Sequence, residues 1–473
     1  MQSRMGRGGL VMVTHRLPVG DTADASGAPA WHDGPASLGG ALARTMREHG
    51  GVWVGWDGGG VAGRVSGSPT GDEVRTRAVA LPDTDETALA LDFADGVLRP
   101  LYYDLATQPT FGERSWTAHV RLNERYARAA AAAAAEGAVV WVQDYELQLV
   151  PAILRRLRPD LRIGFFLHAP FPPAELFVRL PWREQILRGL LGADLVGFQR
   201  PRAVTEFNRL CRRLLGVRVY ADQIPYNGRV VSVGAFAGAV DAAGLAALAA
   251  RPEVRRQAAR LRARLRQPRR LLLGVDGLDE IWGVGRRLVA FGGLGEDQDD
   301  AVLVQITEPR RDRAERHRRA RAEIERLVGR VNGESARLTS PSVHYLHRAV
   351  DRDQLAALYL AADVMTVTPM HDVAGLLAKE YVAARADLGG AVVLSEFAGV
   401  ADDLDGAFVV NPHDTARLRR TLAEAMAAPQ HELRDRMRRM RAAVTRHDST
   451  HWAASFLRAL TVGRAPGARE TAS

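Results

Sequence analysis

A chain of 473 residues is too long for one compact core, and 47% hydrophobic with 25% charged residues is an ordinary globular balance, so two α/β domains are expected. No run approaches the roughly 18 apolar residues that span a bilayer, the opening MQSRMGRGGLVMVTHR reads as a β-strand rather than a secretion signal, and the lone Cys211 excludes an internal disulfide and fits a reducing cytoplasm. The net charge of +9 is almost all arginine, Lys379 being the single lysine, and the densest basic runs, 251–270 and 310–330, show amphipathic helical spacing without aromatic interleaving, which argues against a nucleic-acid partner.

Along the chain, short β-branched runs alternate with longer helical patterns. GLVMVTHR near the start, GAVVWVQD (137–144), RIGFFLHA (162–169) and ADLVGFQ (193–199) form a first series, with RAAAAAAAEG (128–137) as an alanine-rich helix end. RRLLLGVDG (269–277), AVLVQIT (301–307), ADVMTVTP (362–369), GAVVLSE (390–396) and AFVVNP (407–412) form a second, with GGLGEDQDD (292–300) as a surface loop. This rhythm predicts two Rossmann-like, doubly wound parallel sheets covered by helices. The first occupies 1–235 and the second 236–450, joined at the small-residue stretch GAFAGAV (234–240); a helix follows at 451–463 and a disordered tail at 464–473. There is no internal repeat of fixed period.

In open parallel sheets, ligands collect beyond the carboxyl ends of the strands. That gives priority to Arg16, Asp144, His168, Gly277, the segment 307–311 and the segment 369–380, all of which would line one cleft if the two sheets face one another. Asp144 and His168 each end an apolar run, where a polar group is costly unless it has work or a partner; a capping aspartate and a core histidine fit the same pattern. In VTPMHDVAGLLAKEYVA (367–383), Asp372 opens a turn and LLAKEYVA begins a helix whose first amides are open to phosphate or hydroxyl oxygens. Glu380, inside that helix, is placed to accept from a sugar or ribose, although a capped helix with an exposed glutamate reads identically.

Taken together, LVMVTHRLPVG, GGVWVGWDG (50–58), WVQDYELQLVP (141–151), RIGFFLHAPFP, LLGADLVGFQ, VGRVNG (328–333), VHYLHRAV (343–350), VTPMHD, AKEYVAA and LSEFAGVADDL (394–404) resemble the trehalose-6-phosphate synthase family, actinobacterial branch, from residue 9 to about 460. The resemblance implies a GT-B glycosyltransferase, two Rossmann-like domains facing a central cleft, with the C-terminal helix crossing back to the first domain. It implies retaining transfer of glucose from UDP- or GDP-glucose to glucose 6-phosphate, by front-face attack, with no cofactor and no bound metal. A retaining glycosidase would instead carry a carboxylate nucleophile about 5 Å from its acid. By the same likeness Arg16 reaches substrate phosphates, Asp144 and His168 hold sugar hydroxyls, Arg311 grips the acceptor phosphate, Asp372 contacts the donor sugar, the Leu376 backbone the nucleotide, and Glu380 the ribose.

Several positions depart from the family pattern. Where the family reads VDRLDYTKG, with an arginine and a lysine that neutralise the donor diphosphate, this chain reads VDGLDEIWG, placing Gly277 and Trp282 at the two cations. Loss of a cation from a desolvated charge pair costs on the order of 2–5 kcal/mol. Arg286 and Arg287 come next, inside the adjoining helix. A glycine pair implied to let backbone amides touch the donor phosphate becomes Ala36 and Ser37, with Gly39 and Gly40 able to serve if the loop shifts by three; the turn after Asp372 becomes Val373-Ala374-Gly375, and Arg99 and Ala90 replace a tryptophan and a tyrosine implied to contact glucose 6-phosphate. Three readings are open: a working synthase-type transferase, a catalytically impaired paralogue that binds a sugar phosphate or associates with an active paralogue, and a pseudo-glycosyltransferase joining cyclitols. A homo-oligomer is compatible with all three, and a membrane partner with none.

Overall fold

The computed structural model describes residues 9–17, 19–23, 29–31, 38–57, 74–81, 84–105, 107–295, 301–309, 315–334, 341–371 and 374–462. Ser37, Arg311 and Asp372 lie outside them, as do Ala36, Val373, residues 296–300 of the expected surface loop and the tail. The described residues divide into two compact units, one of 9–31, 38–237 and 450–462 and the other of 238–449.

The strands of the first unit are β1 (Leu10–Arg16), β2 (Val19–Ala23), β3 (Pro29–Trp31), β4 (Val52–Trp56), β5 (Arg75–Ala78), β6 (Val139–Gln143), β7 (Arg162–Leu167), β8 (Leu195–Phe198), β9 (Gln223–Tyr226) and β10 (Arg229–Ala235). Eight of them form one sheet in the order β5-β4-β1-β6-β7-β8-β10-β9, parallel except for β9 against β10, while β2 and β3 pair as a separate ribbon. The central strands are buried throughout because helices cover both faces, so VVWVQ of β6 reads as continuous apolar sequence. Chain order reverses between β1 and β6, which opens a crevice at their carboxyl ends.

The helix Ser449–Val462 completes this unit. Phe456 stacks on Trp141, with centroids 4.4 Å apart and planes 8° from parallel. It seats over two strand glycines: a methyl on Gly164 would fall 2.7 Å from its ring, and one on Gly197 2.6 Å. Both glycines are there for close approach.

The second unit holds β11 (Arg270–Gly277), β12 (Ala301–Glu308), β13 (Val343–His347), β14 (Val364–Val367), β15 (Ala391–Ser395) and β16 (Phe408–Val410). All are parallel, in the order β13-β12-β11-β14-β15-β16, with an apolar cluster on each face. The order reverses between β11 and β14, so residues just beyond Gly277 and Val367 border the second crevice. The expected fold class, two doubly wound α/β domains, is what forms.

Candidate functional site: two switch points

In the first unit, Asp144 directly follows β6 with φ 69° and ψ 171°. That region is close to glycine-only and costs an aspartate about 1–3 kcal/mol. The conformation is held by hydrogen bonds: the Asp144 amide donates to the Phe166 carbonyl at 2.8 Å, while Oδ1 accepts from the amides of Tyr145 (2.9 Å), Ala169 (3.2 Å) and His168 (3.3 Å). Among the described residues nothing donates to Oδ2. The sequence pattern alone allows a mere cap here; the structure adds a strained backbone and a half-open carboxylate.

His168 follows β7, and its backbone carbonyl accepts from Gln199 Nε2 at 2.9 Å. Its Nε2 lies 2.8 Å from Gln143 Oε1, so with that oxygen as acceptor Nε2 carries the proton and Nδ1 is left to accept. Burial lowers the ring's pKa, and the opposing charge of Asp144 does not cancel this, which keeps the imidazole neutral. Asp144 and His168 are therefore brought together as two acceptors side by side. Gln143 and Gln199, which orient the histidine, carry no sequence signal beyond ending apolar strands.

Arg16 ends β1 in an exposed position, its guanidinium 4.5 Å above the Trp56 ring. The preceding His15 is only partly exposed, and this partial burial together with the Arg16 charge lowers its pKa to about 4. Arg99, by contrast, is only 4% exposed, with its guanidinium 5.6 Å from the Tyr103 ring. A substrate phosphate at Arg99 would have to enter that buried environment.

In the second unit, Gly277 ends β11 and Trp282 lies in the single 3-10 turn Glu280–Trp282 that comes next. A Cβ on Gly277 would sit 2.6 Å from Trp282 Nε1, so the indole fills the volume a side chain at 277 would need. Gly283 closes the turn at φ 68° against the Thr368 carbonyl, leaving no room for a methyl. Arg287, in the helix Val284–Gly292, turns inward and is 0% exposed. It donates to Asp276 (2.5 Å), Gln305 (2.8 Å) and Thr368 (3.0 Å), so its charge is spent tying three strands together beneath the loop. Lys379 is likewise committed, to Asp403 and the Gly238 carbonyl, both at 2.6 Å.

The helix Leu376–Ala384 starts from Gly375, whose φ of 69° supplies the left-handed residue of the turn, so among the described residues the turn's positive φ falls on glycine. The Leu376 amide opens this helix, where amides lack intrahelical partners. Glu380 accepts from the Tyr359 hydroxyl at 2.8 Å. Beside it stands Glu308, at the end of β12 and inside the segment 307–311 that the carboxyl-end rule gives priority, whose carboxyl is raised to about 7 by burial and by the Glu380 charge. Among the described residues no group of three or more His, Cys, Asp or Glu is arranged to hold a metal, and no helix is long and apolar enough to cross a membrane.

The profile of glycosyltransferase family 20 matches residues 9–462. A trehalose-6-phosphate synthase of Mycobacterium avium (strain 104) is 45% identical over 470 residues, covering 96% of each chain. Among solved structures, a UDP-forming α,α-trehalose-phosphate synthase from Burkholderia xenovorans in complex with glucose 6-phosphate superimposes with TM-score 0.86 at 28% identity, over 96% of this chain and 100% of that one. An Escherichia coli structure bound with UDP-2-fluoro glucose gives TM-score 0.84 at 27% identity, over 95% and 98%.

Proposed function

The chain belongs to glycosyltransferase family 20, and we propose that it transfers a glucosyl group from a nucleotide sugar, UDP- or GDP-glucose, to glucose 6-phosphate with retention, yielding trehalose 6-phosphate. The observation that carries the reading is Asp144, held at a strand end in a backbone conformation aspartate rarely adopts, with one oxygen clamped by amides and the other open beside a neutral histidine. Strain of that kind is kept where a group must be pre-positioned.

In this reading the first unit takes the acceptor and the second the donor. Asp144 Oδ2 and His168 Nδ1 accept from sugar hydroxyls near the reacting carbon, Arg16 reaches the phosphates of acceptor or donor, Arg311 and Arg99 serve the acceptor and its phosphate, and Ser37 stands beside the donor phosphate. Asp372, the Leu376 amide and Glu380 hold the donor hexose and ribose. No cofactor or metal is called for, because the leaving diphosphate serves as the base. The transfer is soluble chemistry of the cytoplasm.

The test is turnover of the purified chain with UDP-glucose or GDP-glucose and glucose 6-phosphate, measured as nucleotide release. Release in the wild type that Asp144→Ala and Asp372→Ala each abolish supports the assignment. Release untouched by both changes places the chemistry elsewhere, and no release at all favours the impaired-paralogue reading, which Gly277 and Trp282 motivate.

A further inference from the structure

If the second unit takes the donor, as proposed, the leaving diphosphate meets the loop that closes over that unit's switch point. This loop, Gly277 to Gly283, is GLDEIWG, with two carboxylates and no cation. The described cations nearby are engaged or solvent-exposed: Arg287 is buried against Asp276, Lys379 is paired with Asp403, and Arg286 is exposed on the adjoining helix. What occupies the strand mouth instead is an indole. Trp282 packs partly into the apolar cluster on that face of the sheet, lies over Gly277, and presents an Nε1–H that no described residue accepts.

A phosphoryl group at a strand mouth is held by charge-assisted hydrogen bonds from arginine or lysine, because a desolvated anion without such partners is costly. An indole carries no charge, donates one neutral hydrogen bond and offers an apolar face. Its position also bars the remedy, since any side chain at 277 would collide with it.

We propose, resting on that donor assignment, that Gly277 and Trp282 form an interlocked pair that leaves the leaving-group subsite without a cation from this loop, so that this chain recognises its donor through the nucleoside and hexose and gains little from the β-phosphate. The pair is thus a specificity determinant: it relaxes the demand for a doubly charged leaving group and admits nucleotides that lack the terminal phosphate.

The test is calorimetric titration of the full chain with UMP and UDP, and with GMP and GDP. A hydrogen bond to a charged group is worth about 1.5–3 kcal/mol, or roughly 10- to 150-fold in affinity, so a cationic clamp would make each diphosphate at least about tenfold tighter than its monophosphate. The cation-free loop predicts a ratio below about tenfold, unchanged in Arg286→Ala. It also predicts a ratio raised by about tenfold or more in Gly277→Arg/Trp282→Lys, and in the same direction by Trp282→Lys alone. A wild-type ratio above that bound, a loss of diphosphate affinity in Arg286→Ala, or no rise in either lysine variant overturns the inference while leaving the donor assignment standing. Failure of all four nucleotides to bind removes the donor assignment and the inference with it.

Discussion

Asp144 and the Gly277–Trp282 pair are the positions where single atoms decide the outcome. Asparagine tolerates positive φ better than most residues and keeps the Oδ1 that three amides donate to, so Asp144→Asn should leave the melting temperature nearly unchanged. The same change removes the open anionic oxygen, and turnover should fall by about a hundredfold or more, the scale of losing one charged hydrogen bond in the transition state. Equal losses of stability and activity would make the residue structural. At the other switch point, Gly277→Ala drives a methyl into the indole and should destabilise the protein by about 1–3 kcal/mol, whereas the same change in a Trp282→Ala background should cost little. Denaturant titration of the four proteins measures that coupling, and additive effects would mean the indole does not press on Gly277.

At the scale of elements, the Arg287 network fastens one helix to three strand ends. Removing one partner of a buried ion pair costs about 3–5 kcal/mol because the other charge is stranded. Arg287→Leu should therefore unfold the second unit at markedly lower denaturant, and Asp276→Asn added to it should restore part of the loss. In the first unit, the partly buried His15 and the buried His119 have pKa values lowered to about 4 and about 3, by desolvation first and then by Arg16 and by His15 respectively. The unfolded chain takes up protons near pH 6.5 while the folded one resists, so stability is full above about pH 6.5 and drops as pH falls from there toward about 3. Thermal melts from pH 7.5 to 4.5 should show that decline, and His119→Gln should make it shallower; an unchanged slope would mean other groups control it. These elements differ in how far sequence reveals them. β6, β7, β11 and β12 are covered on both faces, so their apolar runs stand out, but RTRA of β5 alternates exposed and half-buried residues at an edge and looks like a loop. The inward turn of Arg287 is equally invisible, since its three partners are 11, 18 and 81 residues away.

For the whole molecule, the last helix is a working part of the first unit, with Phe456 and Trp452 packed on Trp141 and Phe166. Removing a buried aromatic costs about 3–5 kcal/mol, so a fragment of residues 1–237 should collapse and aggregate, and adding a peptide of residues 449–462 should rescue its cooperative melt. A cooperative fragment without the peptide would show that this helix is dispensable. The site is legible to the degree that its residues end strands: Arg16, Asp144, His168, Gly277 and Glu308 all obey the carboxyl-end rule, whereas Gln143 and Gln199 gain meaning only from neighbours that the fold supplies. The departure at Gly277 and Trp282 is visible as a missing charge, but that the indole fills the space over the glycine is a fact of packing. The central claim, that this scaffold moves glucose, is tested most directly by proton NMR of a reaction containing the wild-type chain, a nucleotide glucose and glucose 6-phosphate. The account predicts an α,α-linked phosphorylated disaccharide appearing in step with released nucleoside diphosphate. Free glucose with no disaccharide, or substrates unchanged at enzyme-stoichiometric concentrations, would contradict it.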